Sequence, residues 1–299
     1  MDVREDRFFP PMAKYLLLIL AIFIGMLLSE AFIAGLQWFV GANLDELYMN
    51  LDSKSSAQER YWARCNVLIR HSLSFAIPAL LTAIFLYRRR WAQVLDLNRR
   101  PRLFNLAVGC MLMLTAFPLA HLALWLNQQI PLPAWAVSIE NLTEKAINGL
   151  LLAESPLEML FNVLIIAILP AVGEELIFRG FIQKGLHRIA PNPHWAVWTA
   201  AFLFSIFHLQ LEGFLPRMAL GGLLGYMYYW TRNLWIPIAA HFINNGVQVI
   251  GQYFASPEAA QASIENSGQI SWGITIISLI FVLGLSTLMI NYNRNNQRS

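Results

Sequence analysis

Four polar side chains in the second half of the chain are of types that could together hydrolyse a peptide bond. Glu174 stands near the end of one apolar run, and His208 ends the next. His241 and Asn245 lie one helical turn apart in a later run. A carboxylate and an imidazole can activate water, and a second imidazole and a carboxamide can donate to an oxyanion. These four residues are the predicted catalytic set.

Three neighbouring residues are predicted to support this set. Glu175 and Arg179 are spaced i, i+4, so they can pair along one helix edge. Glu174 points about 100° away from that edge, because a helix has roughly 3.6 residues per turn. Phe204 precedes His208 by one turn and shares its helix face.

The same residues allow a second mechanism. The chain has no HExxH motif, but Glu174, His208 and His241 could hold zinc and leave a position open for water. The residues alone do not choose between this zinc site and a reaction without a cofactor. Nucleophilic catalysis is disfavoured, because no serine stands in a nucleophile-elbow setting and neither cysteine lies near the set.

Each of these residues, taken alone, also has a structural interpretation. A single buried histidine is usually satisfied by its neighbours, and Asn245 could simply join two helices. Their joint occurrence favours a catalytic role. A bilayer penalises every polar group, and Ser or Thr could join two helices at a lower cost in free energy.

The composition places the chain in a membrane. Hydrophobic residues make up 57% of it and charged residues 13%, against roughly a quarter charged in soluble domains. A spanning helix needs about 20 apolar residues, and eight runs approach that length. The predicted spans are Tyr15–Val40, Val67–Tyr87, Phe104–Leu126, Leu157–Glu174, Trp195–Leu209, Phe214–Trp230, Leu234–Tyr253 and Ile270–Tyr292.

Other patterns refine this architecture. Glycines in the sixth span (Gly221, Gly222 and Gly225) predict close helix packing, and Pro78 and Pro118 predict kinks. The segment between Asn127 and Pro156 has the spacing of an amphipathic helix at the outer interface or plugging the bundle. The predicted fold is an all-α polytopic bundle of about eight transmembrane helices, with that interfacial helix before the fourth. It forms one membrane domain over 1–299, with catalytic core helices over 157–251.

Lysine and arginine predict the orientation. Fifteen fall on the side of the N-terminus and five on the other, with Arg70 near a helix start, so both termini are expected in the cytoplasm of a multi-pass cell-membrane protein. The net charge of +3 suggests contact with anionic lipid and not with nucleic acid. The first apolar stretch is too long for a cleaved signal peptide and is expected to stay as an anchor.

Several isolated residues receive structural interpretations. Cys65 is expected in an outer loop and Cys110 in mid-helix, so neither a disulfide nor a thiol site is predicted. Glu30 and His121 lie within apolar runs and could be relay groups, but such lone residues more often bond a neighbouring helix or sit near an interface, and that is the preferred interpretation.

Three motifs together carry a family resemblance. They are Glu174-Glu175-x-x-x-Arg179, Phe204-x-x-x-His208 and His241-x-x-x-Asn245. In this order and spacing they resemble the signature of the CPBP family, which contains the type II CAAX prenyl endopeptidases and the bacterial Abi proteins. The resemblance covers roughly Leu157 to Gly251.

The resemblance implies an eight-helix intramembrane endopeptidase with a cavity that opens toward the cytoplasm. In the family's glutamate-type mechanism, Glu174 and His208 would activate water, and His241 and Asn245 would form the oxyanion hole. Glu175 and Arg179 would support the site. Older descriptions of the family call it a metalloprotease.

The predicted function is therefore hydrolysis of a peptide bond in a membrane-associated substrate, for which prenylated or bacteriocin-like peptides are candidates. The alternatives are a zinc-dependent protease using the same residues and a non-catalytic immunity or scaffold protein. A proton-coupled transporter is disfavoured, because no internal repeats or paired broken helices are evident. The expected partners are that substrate and the bilayer, whereas the physiological substrate and oligomeric state are not predicted.

Overall fold

The computed structural model describes residues 10–52, 54–189, 192–255 and 269–298. Within those ranges every regular element is helical and no strand occurs, which confirms the predicted all-α membrane fold. Arg4 and Arg7, which contribute to the predicted orientation, lie outside the described residues.

Helical runs occupy all eight predicted span positions. In chain order the α-helices are α1 (Pro11–Val40), α2 (Leu44–Met49), α3 (Ala57–His71), α4 (Ile77–Tyr87), α5 (Trp91–Val94), α6 (Leu103–Thr115), α7 (Phe117–Gln128), α8 (Ala134–Leu151), α9 (Pro156–Asn162), α10 (Leu169–Glu175), α11 (Lys184–Ile189), α12 (Pro193–Phe207), α13 (Phe214–Thr231), α14 (Trp235–Phe254) and α15 (Trp272–Arg298). The predicted amphipathic segment is the helix α8.

Five continuous helical runs are long and apolar enough to cross a membrane, among the residues described. They are Ala13–Val40, Ala57–Val94, Leu103–Gln128, Pro156–Ile189 and Trp272–Asn296. The predicted count of eight is not confirmed. Helix α12 is shorter than these five, and α13 and α14 carry polar side chains and glycines that lower their hydropathy.

The second run begins ten residues before its predicted start at Val67. Ser56 caps it by accepting from the backbone N–H of Glu59, and the Glu59 carboxylate accepts from the N–H of Ser56. This capping box satisfies two N–H groups at the helix start. Cys65 consequently lies inside α3, and its predicted place in an outer loop was wrong. Cys110 lies within α6 as predicted.

The fourth run was predicted to end at Glu174 and instead continues to Ile189. Two π-helical segments, Val163–Ile168 and Leu176–Gln183, flank the short helix α10 that carries the two glutamates. Pro170 accounts for part of this irregularity, because it has no N–H to donate to the carbonyl four residues earlier. Single π turns of this kind are frequent at functional sites.

The two predicted kinks are also present as irregular backbone. A π-helical segment, Ser72–Ala76, precedes Pro78, and the helix is interrupted at Ala116, just before Pro118. Gly25 of α1 packs so closely on the carbonyl of Leu73 that a side chain there would clash. The first span therefore rests directly on the π-helical segment of the second.

Glycines in α13 allow side chains of the fourth run to reach its backbone. Arg179 Nη2 donates to the Gly221 carbonyl at 2.7 Å, and Gln183 Nε2 donates to the Gly225 carbonyl at 2.8 Å. A Cβ at Gly225 would lie 2.8 Å from Gln183 Oε1. The predicted close approach at these glycines is confirmed.

The two ends of the bundle differ in charge. We call one the basic end; its loops carry Arg88–Arg90, Arg99, Arg100, Arg102 and Arg232. We call the other the α8 end, where α2, α8 and the turn at 209–213 lie. At the basic end Asp96 pairs with Lys184 Nζ at 2.6 Å and accepts from the hydroxyl of Tyr228 at 2.6 Å.

Candidate active site

All four predicted catalytic residues line one cavity with a volume of ≈ 540 Å³. Glu174 comes from α10, His208 from the end of α12, and His241 and Asn245 from α14. Phe204 also lines this cavity. The structure thus brings together side chains from three separate helical runs, as the sequence analysis expected.

Glu175 and Arg179 form a fully buried pair beneath the cavity. Arg179 Nη1 donates to Glu175 Oε1 at 2.6 Å, and the same oxygen accepts from His241 Nδ1 at 2.9 Å. The Glu175–Arg179 pair therefore has a role beyond neutralising two buried charges. It orients His241, in the way that a carboxylate behind a histidine fixes which ring nitrogen carries the proton.

The contact with Glu175 determines what His241 can offer to the cavity. A carboxylate only accepts hydrogen bonds, so Nδ1 must carry a proton. In the neutral ring, Nε2 is then an acceptor, and it faces Glu174 Oε2 at 3.8 Å. This arrangement argues against the predicted role of neutral His241 as an oxyanion donor. It suits a histidine whose Nε2 accepts a hydrogen bond from water.

His208 is held in the same tautomer by a different partner. Its Nδ1 donates to the carbonyl of Phe204 at 2.8 Å, which leaves Nε2 as an acceptor in the neutral ring. The Phe204 ring packs edge-on against both histidines, with centroid distances of 4.9 Å to His208 and 5.9 Å to His241. Arg179 lies over the same ring at 5.0 Å. Phe204 therefore spaces the two imidazoles.

Asn245 is anchored to the fourth run. Its Nδ2 donates to the carbonyl of Ile166 at 3.0 Å, and its Oδ1 accepts from Asn244 Nδ2 at 2.8 Å. Pro170 has no N–H to donate to the carbonyl of Ile166, four residues earlier. Asn245 supplies a hydrogen bond to that carbonyl instead. One of its two amide hydrogens is thus committed to joining helices.

A third histidine, His71, belongs to the site and was missed by the sequence analysis. It ends α3 in the second run, its side chain is 13% exposed, and its Nε2 lies 3.7 Å from Glu174 Oε1. Its Nδ1 is buried and has no hydrogen-bond partner within the described ranges. The available signal was an ionisable residue inside an apolar run. It lay too far along the chain from the three motifs to be connected with them.

The zinc alternative finds no preformed site. Among the residues that the structure describes, no three His, Cys, Asp or Glu side chains are grouped closely enough to hold one metal ion. Glu174, His208 and His241 line the same cavity without forming such a group.

The cavity lies in the half of the bundle toward the α8 end. From Glu174 it extends to Tyr48 of α2, Ile147 of α8 and Gln248 of α14. The resemblance implied an opening toward the cytoplasm, and the charge distribution placed the basic end there. These two expectations conflict, because the cavity and the basic end occupy opposite halves of the same helices. If the basic end faces the cytoplasm, as predicted, the cavity lies nearer the opposite face of the membrane.

Two isolated residues have the structural partners expected of them. Glu30 pairs with Arg70 of the second run, and His121 Nε2 lies 3.3 Å from the carbonyl of Gln269. Neither residue lines the cavity. They join neighbouring segments and do not extend the site.

Comparison with known proteins supports the assignment of the central region. Residues 156–247 match the family model described as "Type II CAAX prenyl endopeptidase Rce1-like". Over 90 residues the chain is 34% identical to "Uncharacterized protein YpbD" of Bacillus subtilis (strain 168), covering 29% of this chain and 43% of that protein. Over 90 residues it is 31% identical to "Putative membrane peptidase YdiL" of the same organism, covering 30% of this chain and 36% of that protein.

Each match spans less than half the length of the Bacillus protein concerned. No solved structure matches the chain. The matched region contains all three motifs, from Glu174 to Asn245. The resemblance that those motifs predicted is confirmed, and residues 156–247 are similar to the type II CAAX prenyl endopeptidases.

Proposed function

We propose that the protein is an intramembrane endopeptidase that uses activated water to cut a membrane-associated peptide or protein. The observation that carries this proposal is the setting of Glu174. Glu174 is 9% exposed, and its carboxylate lies on a cavity within membrane-embedded helices and faces a histidine Nε2 from each oxygen. A buried carboxylate without a cationic partner of its own is costly in a bilayer unless it has a function.

In the proposed reaction, Glu174 acts as the general base. A water that donates one hydrogen bond to Glu174 and the other to the acceptor nitrogen of His208 or His241 loses a proton to Glu174 as its oxygen bonds to the substrate carbonyl carbon. The C–N bond then breaks, and Glu174 returns that proton to the leaving amine nitrogen. Glu175 and Arg179 keep His241 oriented. The remaining N–H of Asn245 is available to the oxyanion.

No cofactor enters this reaction. Metal analysis of the purified protein and activity in the presence of a chelator test that point directly. Stoichiometric zinc that disappears in His241→Ala would replace the glutamate mechanism with the zinc alternative.

The location of the site and the family match support the proposed substrate class. The cavity lies among spanning helices, so the scissile bond must enter the membrane region, and a membrane-associated or lipidated peptide can do so. The Rce1-like match favours a CAAX-type endopeptidase. We further propose that the chain is a multi-pass cell-membrane protein with both termini in the cytoplasm. In that orientation the cavity lies toward the non-cytoplasmic face of the membrane.

The test is cleavage of a membrane-associated peptide by protein purified in detergent or liposomes. Glu174→Gln preserves the shape of the side chain and removes the base, so kcat should fall by about 100-fold to 10,000-fold. The matched control is Glu144→Gln, an exposed glutamate on α8, which should keep full activity. Full activity in Glu174→Gln would refute the proposal. A cellular phenotype that survives this substitution would favour an immunity or scaffold role.

A further inference from the structure

We infer that His71 is a further catalytic residue of this site and donates a hydrogen bond from Nε2–H to the oxyanion of the reaction. This inference rests on the proposed endopeptidase function. It assigns a role to the second helical run, which lies outside the region matched by the family model.

The need for such a donor follows from the hydrogen bonds of the other residues. His208 and His241 each use the Nδ1 proton on a fixed acceptor, the Phe204 carbonyl and Glu175 respectively. Their neutral rings therefore present lone pairs to the cavity. Asn245 gives one N–H to Ile166. A developing oxyanion would face one remaining amide N–H and two acceptors.

His71 differs from both of those histidines at Nδ1. That atom is buried and has no partner among the described residues, so a proton placed there would make no hydrogen bond. An unmade bond at a buried donor costs about 1–3 kcal/mol. The proton is better placed on Nε2, which faces the Glu174 carboxylate. His71 is thus the histidine of this site whose Nε2 is free to donate.

Nε2 of His71 is not hydrogen-bonded to Glu174. His71 Nε2 is 3.7 Å from Glu174 Oε1, longer than a hydrogen bond of about 2.7–3.2 Å. His241 faces the other oxygen, Oε2, at 3.8 Å. In the inferred arrangement, water lies on the Oε2 side with His241, and the substrate carbonyl oxygen accepts from Nε2 of His71 on the Oε1 side.

The backbone explains why His71 is held there. The π-helical segment Ser72–Ala76 starts directly after it, and the ring of Phe75 packs edge-on against the imidazole at 4.8 Å. Gly173, next to Glu174, lets this segment approach, because a Cβ at Gly173 would lie 3.2 Å from the backbone nitrogen of Ala76. The two runs are thereby brought together beside the carboxylate.

The experiment compares His71→Leu with His71→Gln in the peptide-cleavage assay. Removing one oxyanion donor typically lowers kcat by about 100-fold to 1,000-fold, so we expect that loss for His71→Leu with KM nearly unchanged. His71→Gln keeps an N–H at a similar reach and should recover about tenfold of that loss. His121→Leu, a histidine in another helical run and outside the cavity, is the control and should retain activity.

The outcomes separate the role of His71 from that of the whole site. Wild-type kcat in His71→Leu would overturn the inference while leaving the endopeptidase proposal intact, provided that Glu174→Gln is inactive in the same assay. Equal losses in the Leu and Gln variants, with lowered thermal stability in both, would also overturn it by showing a structural role. Full activity in Glu174→Gln would instead refute the function on which the inference rests.

Discussion

Asp96 and its neighbours at the basic end are paired with one another, whereas several buried polar groups around the cavity have no partner in the part of the chain that the structure describes. At the basic end, Asp96 is paired with Lys184 and Tyr228, and the Trp235 indole N–H donates to the Leu97 carbonyl. Around the cavity, Nδ1 of His71, Nε of Arg217 and Oδ1 of Asn244 have no partner among the described residues.

This difference separates polar groups that hold the fold from those available for chemistry. A satisfied buried polar group stabilises the structure, whereas an unsatisfied one costs about 1–3 kcal/mol. Around the cavity, a substrate or water can complete these hydrogen bonds. Substitutions in the two regions should therefore affect different properties, stability at one end and turnover at the other.

The largest predicted difference concerns the membrane faces on which the basic end and the cavity half lie. In a background with Cys65 and Cys110 replaced by alanine, Asn141→Cys on α8 should react with a membrane-impermeant maleimide in intact cells. Arg89→Cys at the basic end should react only after the cells are permeabilised, because positively charged loops stay in the cytoplasm. The reverse pattern would place the cavity on the cytoplasmic side and reverse the proposed orientation.

The pair beneath the cavity is predicted to be the most sensitive to loss of one partner. Arg179→Met leaves Glu175 as a fully buried, unpaired charge, which typically costs about 3–5 kcal/mol. Thermal unfolding in detergent should show a large fall in Tm. Glu174→Gln removes a charge without stranding another, so its Tm should not fall. Equal destabilisation by the two substitutions would show that Glu174 is also structural.

Asp96→Asn should alter stability without altering turnover. It weakens the contacts with Lys184 and Tyr228, and hydrogen bonds to a charged group contribute about 1.5–3 kcal/mol. Because Asp96 is partly exposed to solvent, we expect a loss near the lower limit of this range. The kcat for peptide cleavage should be unchanged, since Asp96 does not line the cavity. A comparable fall in kcat would show that the basic end affects turnover as well as stability.

Asn245→Ala should have the smallest effect on stability. Hydrogen bonds between membrane helices contribute about 0.6 kcal/mol on average, so loss of the bond to Ile166 should lower the unfolding free energy only slightly. Its kcat should nevertheless fall, because the second amide N–H is lost to the oxyanion. A large drop in Tm with unchanged kcat would instead identify Asn245 as a purely structural link.

Local sequence patterns predicted much of the site. The spacing of Glu175 and Arg179 was sufficient to predict their contact, because residues four apart share a helix edge. The glycines of α13 likewise predicted its close packing. Patterns within one run did not predict that the fourth run continues past Glu174 or that the second starts at Ala57. Those boundaries depend on π-helical segments and caps as well as on hydrophobicity.

By itself, the sequence determined that the chain is helical, lies in a membrane and carries three spaced motifs, because these properties follow from composition and helical periodicity. Only the tertiary structure decided that His71 faces Glu174, that Glu175 sets the tautomer of His241, and that the cavity lies away from the basic end. The physical reason is distance along the chain. Contacts between separate helical runs depend on how their surfaces pack. The spacing of residues within one run does not specify that packing.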